Sequence, residues 1–181
     1  MLKIVIPPFE QWDPINECFI SVPKEQTLSL EHSLVSISKW ESKWHKAFLG
    51  KQVKTPEEIV DYIRCMTVTQ NVDPEVYSNL PSSVLEQINA YIDDPATATT
   101  FYDDNKKGSS KETITSELIY FWMISFGIPF ECQKWHLNRL LALIRVCSIK
   151  NSTQKKMGPT ELAKRNTALN AARRKAHHTK G

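Results

Sequence analysis

Cys132 and His136 stand four residues apart in a stretch of helical pattern, a spacing that lets two metal-ligating side chains leave one helix face. A closed zinc site needs four ligands, and no second Cys/His pair follows. Cys18, Cys65, Cys147, His32 and His45 could join the pair only through the tertiary fold. The expectation is a packed, unligated pair with no metal and no other cofactor. Nucleophilic catalysis needs a thiol or hydroxyl oriented by a base, and acid-base hydrolysis needs convergent carboxylates; neither has a signature here. The five glycines are scattered singly, so no glycine-rich loop is set up to cradle a phosphate. The chain reads as a binding protein without enzymatic activity.

Two polar clusters remain. Lys39-Trp40-Glu41-Ser42-Lys43-Trp44-His45-Lys46 interleaves aromatics with bases, a pattern that can stack nucleobases and pair with phosphates. At helical spacing, however, Trp40 and Trp44 stand one turn apart beside Ile37 and Phe48, so core packing with solvated lysines explains the segment better. The second cluster is C-terminal. Residues 150–181 carry nine Lys or Arg against one acid, Glu161, for a net charge of +8, which leaves the rest of the chain at −5. Lys155, Lys156, Lys164, Arg165, Arg173, Arg174 and Lys175 are the candidate partner-binding residues, with His177, His178 and Lys180 beyond them. A basic arm of this kind docks on acidic faces of protein partners, binds nucleic acid through phosphate charge, or solubilises a chain end, and charge alone leaves all three open.

The elements that would position these residues are mainly helical. Lys3–Ile6 is short, β-branched and stopped by Pro7-Pro8, which predicts a strand, and 18–22 predicts a second that pairs with it in a small ribbon. Leu30, Leu34, Ile37, Trp44 and Phe48 predict a helix over about 30–48, ended by Gly50. Thr55-Pro56-Glu57-Glu58 is a capping signal for a helix over 56–66. Asp73-Pro74 starts a short helix, and Val84, Ile88 and Ile92 share a face of another over 82–92. Residues 94–111, polar and rich in turn formers, predict a loop. The 114–126 segment is apolar almost all round, which predicts a central helix buried on several sides, and Pro129 is expected to open a helix over 130–148 that pairs with it as an antiparallel hairpin.

After Asn151 a hinge-like stretch leads to a last, alanine-rich helix reaching about Lys175, whose apolar face is too thin for a core helix. No internal repeat is visible. The fold class expected is mainly α: one compact helical domain over 29–149, a short N-terminal β-ribbon over 1–28 and a basic helical arm over 150–181. With 41% hydrophobic and 24% charged residues, the chain can bury a real core. The cysteines show no paired spacing and no secretory signal precedes them, which predicts free thiols in a reducing compartment. The longest apolar run, Leu118 to Phe130, has 13 residues against the roughly 20 that cross a bilayer, so no membrane span is expected.

Four phrases occur in order: SLEHSLVSISKWESKWHKAFL from Ser29, DYIRCMTVTQNVDP from Asp61, PFECQKWHLNRLLALIRVC from Pro129 and KRNTALNAARRK from Lys164. Together they resemble the tail assembly chaperones of long-tailed bacteriophages, from about residue 27 to the end. The resemblance implies a protein of the infected host's cytoplasm that binds the long, aggregation-prone tape-measure protein and keeps it soluble while major tail subunits polymerise around it. It also implies that a frameshifted, C-terminally extended form can exist, whose extension recruits tail-tube subunits. Two other readings stay open: a nucleic-acid-associated phage protein working through the C-terminal arm and the Trp40/Trp44 segment, and a structural component retained in the virion. Homo-oligomerisation is compatible with each.

Overall fold

Four five-residue strands come first, β1 (Leu2–Ile6), β2 (Phe9–Asp13), β3 (Cys18–Val22) and β4 (Gln26–Leu30). In the computed structural model, which describes residues 1–13, 17–22, 24–78, 80–101, 113–153 and 159–177, they form two antiparallel pairs. β1 pairs with β4, with Ile4 opposite Leu28, and β2 pairs with β3, with Trp12 opposite Phe19. The expected pairing of Lys3–Ile6 with 18–22 is therefore corrected: β1 takes 26–30 instead. Gln26–Leu30 alternates, burying Leu28 and Leu30 beside Ile4 and Ile6. Leu30 also stands at helical spacing from Leu34 and Ile37, which is why the pattern alone assigns it to a helix. Pro7 and Pro8 cannot donate to a ladder, and the pairing breaks there. The far edge of β4 is held by the end of the second helix: Glu31 N–H donates to Met66 O and Val68 N–H to Ser29 O, both at 2.8 Å.

Seven α-helices follow among the described residues: α1 (Leu34–Trp44), α2 (Pro56–Met66), α3 (Glu75–Ser78), α4 (Ser82–Asp93), α5 (Ser116–Ser125), α6 (Leu137–Thr153) and α7 (Pro159–His177), with a 3₁₀ turn at Phe130–Lys134. Mainly α is the correct class. α1 begins where Ser33 and Ser36 cap each other's backbone N–H. It stops at His45 instead of running to Gly50, because His45 takes a left-handed conformation (φ 52°) and donates its N–H to Glu41 O. A β-carbon in that region costs about 1–2 kcal/mol. His45→Gly is therefore expected to raise stability by roughly 1 kcal/mol, read as a higher urea midpoint at unchanged slope. α2 starts as its sequence dictates, with Thr55 and Glu58 completing a capping box around Pro56.

Pro129 does not open a long helix. The chain makes the short 3₁₀ turn, becomes extended at Trp135, and starts α6 only at Leu137, because His136 bridges to Ser33 and Leu137 N–H donates to His32 O (2.8 Å). α5 packs chiefly on α1, α1 also on α2, and the ribbon is covered by α3 and α4. Ile37, Trp40, Ile63, Met66, Ile88, Ile119, Met123, Leu137 and Leu140 fill the core. The expectation that α5 is buried on several sides is corrected: Ser116, Ile119 and Met123 are buried, while Phe121 and Ile124 stand in solvent. Of the 94–111 loop, residues 94–101 are neither helix nor strand, and 102–112 lie outside the described residues.

The chain divides into two units, Met1–Arg145 and Val146–Gly181, with the division inside α6. No described helix is long and apolar enough to cross a membrane.

Candidate functional site

The tryptophan and lysine segment on α1 is turned to structure. Trp40 is buried, and its Nε1–H donates to Glu58 O (2.9 Å). Its ring stacks on Trp44 (centroids 6.2 Å apart) and meets Phe48 edge-on. Trp44 Nε1–H donates to Asp61 Oδ2 (2.9 Å), and Lys43 and Lys46 form ion pairs with Asp61 and Glu58. Lys46 and the Thr55 N–H hold the Glu58 carboxyl below the usual carboxylate range. Burial pushes Asp61 up, but the hydrogen bonds from Lys43 and Trp44 outweigh it and the net shift is down. Trp40 is thus enclosed and these two lysines are engaged in ion pairs, while Trp44 is half-buried and Lys39 exposed.

Glu41, on the same helix, is the central polar group that pattern reading passes over. It is buried, and its two oxygens accept N–H bonds from chain segments far apart: Phe48 N–H at 2.7 Å and Ser116 N–H, at the start of α5, at 2.7 Å. A carboxylate there also complements the positive end of α5. An open cleft of ≈ 270 Å³ lies beside it, lined by Ser42, His45, Lys46, Ala47, Thr115 and Glu117 as well as Glu41.

Cys132 and His136 do not share a helix face, since Cys132 sits in the 3₁₀ turn and His136 precedes α6. His136 joins a partly buried ring cluster, with centroid distances of 5.1 Å to His32 and 4.9 Å to Tyr91. Its Nε2–H donates to Tyr91 O (2.8 Å), while Nδ1 is buried with no hydrogen-bond partner. His32 shares a 2.6 Å hydrogen bond with Tyr62 Oη. Burial, and secondarily His136, push the His32 pKa down to about 4. Asn138 Nδ2, in the first turn of α6, donates to Ile92 O and Asp94 O, so α6 satisfies a carbonyl in the last turn of α4 and that of its C-cap residue. Among the described residues no three His, Cys, Asp or Glu side chains come together as a metal site.

Of the basic candidates, Lys164, Arg165, Arg173 and Arg174 are exposed on α7, Lys175 lies in the same helix, and Lys155 and Lys156 fall outside the described residues. At about 100° per residue, Lys164 and Arg173 leave opposite sides of the axis and Arg174 a third direction. The charge therefore surrounds the helix rather than forming one stripe. Every described side chain from Ala163 to Arg174 is exposed.

Two exposed apolar features were not anticipated. On the ribbon, Trp12 (48% exposed) and Phe19 (64%) form a cross-strand pair with ring centroids 4.9 Å apart. On α5, Phe121 and Ile124 stand three residues apart on the open face, and Phe130 of the 3₁₀ turn is also exposed, its ring 6.3 Å from that of Tyr120. The all-round apolar composition of 114–126 was the available signal, and it marks two apolar contacts of which the core supplies one.

Comparison of the chain with known protein families, with characterised proteins and with solved structures gives no match.

Proposed function

We propose that the protein is a non-enzymatic tail assembly chaperone of a long-tailed bacteriophage. Acting in the host cytoplasm, it binds the tape-measure protein and keeps it soluble while the major tail protein polymerises. In this reading residues 29–149 form the compact helical body and 150–181 the basic helical arm. The observation that carries it is the open apolar face of α5 at Phe121 and Ile124: a core helix that keeps a second apolar face in solvent is built to cover apolar surface on another macromolecule. The sequence resemblance supplies the identity of that macromolecule. Co-expression is expected to raise the soluble yield of the tape-measure protein and to give a complex on gel filtration. Unchanged yield with no complex sinks the proposal.

A second reading rests on α7, whose exposed Lys164, Arg173 and Arg174 point in different directions, as suits phosphates approaching from several sides. It predicts DNA or RNA binding that weakens steeply with salt and is lost in the Arg173→Glu/Arg174→Glu protein. Binding that is absent or insensitive to salt excludes it.

A further inference from the structure

Phe9 and Val22 face each other on the first rung of the β2–β3 ribbon, and Val22 is fully buried. Successive residues of a strand point to opposite faces, so Glu10 and Trp12 do not share a face with that pair. Glu10 is two residues from Trp12 and lies on its face, and Phe19, opposite Trp12, joins them. All three are exposed. The two rings meet at 64° and do not stack, which leaves Trp12 an open face. Glu17, exposed as well, stands just beyond the last rung, that of Asp13 with Cys18. Along the ribbon the aromatic rung is therefore bracketed by an acidic residue on each side, the two about 13 Å apart at the rise of a strand. Residues 9–22 hold three acids and no lysine or arginine, and among the described residues no cation pairs with Glu10 or Glu17.

A partner that covers this face meets an aromatic ring and negative charge together. An apolar surface would have to strip water from Glu10 along with Trp12. Phosphates, whether of nucleic acid or of acidic lipid, are repelled. A guanidinium answers both features: planar and weakly hydrated, it lies on an aromatic face and donates parallel N–H bonds to a carboxylate. We propose that the outer face of the β2–β3 ribbon docks an extended, arginine-bearing segment of another protein, with one guanidinium on Trp12 and paired with Glu10, and a second at Glu17. The spacing of the two acids calls for a stretch of about five extended residues rather than a single small cation. Lysine serves less well, because its ammonium holds its water and pairs as a point charge. The site uses no residue of α5, requires no tape-measure protein and stands apart from the chaperone reading.

The test is fluorescence anisotropy of labelled, acetylated hexa-arginine and hexa-lysine peptides titrated with the nuclease-treated, full-length protein at low and at moderate salt. Hexa-arginine is expected to bind about 3-fold tighter than hexa-lysine and to weaken as salt rises. The ring contact also helps hold the two strands together, so the informative change is Trp12→Val, whose β-branched side chain suits a strand and keeps an apolar neighbour for Phe19. It should erase the preference for arginine and leave hexa-lysine binding nearly unchanged. Glu10→Gln/Glu17→Gln should weaken both peptides by about 5-fold, and urea midpoints check the fold of each variant. Equal affinity for the two peptides overturns the proposal. So does an arginine preference that survives Trp12→Val, or an affinity that the paired glutamines leave intact. A gain in hexa-arginine affinity on Arg173→Gln/Arg174→Gln that vanishes with Trp12→Val would make the chain's own arm the occupant, and overturns it likewise. No tape-measure protein is present, so failure here says nothing against the chaperone reading, and failure of co-expression says nothing against this site.

Discussion

Glu41→Ala is expected to lower the free energy of unfolding by about 3 kcal/mol, a large share of the roughly 5–15 kcal/mol that holds a domain together. The carboxylate accepts two buried backbone N–H groups, those of Phe48 and Ser116, and alanine removes the acceptor from both, leaving only water from the adjoining open cleft to replace it. An unsatisfied buried donor costs about 1–3 kcal/mol, and the charge complement at the start of α5 is lost with them. Glu41→Gln separates the contributions. Its amide keeps one accepting oxygen but turns an NH₂ group toward the other N–H, so it should recover no more than about half of the loss. Chemical unfolding of the three proteins, monitored by tryptophan fluorescence, checks this. An alanine variant within about 1 kcal/mol of the parent would show that the link between α1 and α5 does not matter to stability.

The second large effect is a loss of stability in acid traced to one ring. In the unfolded chain a histidine takes up its proton near pH 6.5, whereas burial holds folded His32 neutral down to about pH 4. Between these values the unfolded state binds the extra proton, so stability is full above pH 6.5 and falls as the pH drops toward 4. Integrated over that window the loss is about 3 kcal/mol. The cluster around the ring shows why protonation is resisted: the rings of Phe48, Tyr62 and His136 pack against it, and Tyr91 packs in turn on His136. Asp61 and Glu58, held below the carboxylate range, add their own losses only at lower pH. His32→Gln should be less stable at neutral pH and should flatten the profile between pH 6.5 and 4. A profile of unchanged steepness, or an NMR titration placing His32 near 6.5 in the folded protein, would rule this out.

What could be read in advance followed local rules. Thr55-Pro56-Glu57-Glu58 announces α2 because capping is decided by neighbours in sequence, and Val84, Ile88 and Ile92 define α4 by period alone. The failures lie where distant segments decide. β4 shares its leucines with a helical period and becomes a strand because β1 lies on one side of it and Met66–Thr69 on the other. Trp135 and His136 interrupt an apolar helical pattern because His136 bridges to Ser33 and the Leu137 N–H is taken by His32 O. At the candidate site, the charge of 150–181 was plain, but its spread around α7 needs the helix itself. The open face of α5 was hidden by its composition, since an apolar residue in the core and one awaiting a partner look the same in a sequence.

The ribbon has a bearing on how the chain emerges from the ribosome. β1 through β4 find their ladder partners among themselves, so this segment can zip up while the rest is still being made. The outer edge of β4 must wait for Met66–Val68, which close it. At about 5–20 residues per second the wait is a few seconds. For that time the nascent chain carries an open strand edge and the apolar side chains of Ile4, Ile6, Leu28 and Leu30, a hazard in a polysome where neighbouring chains show the same edge. Completion of α2 is the step that ends it.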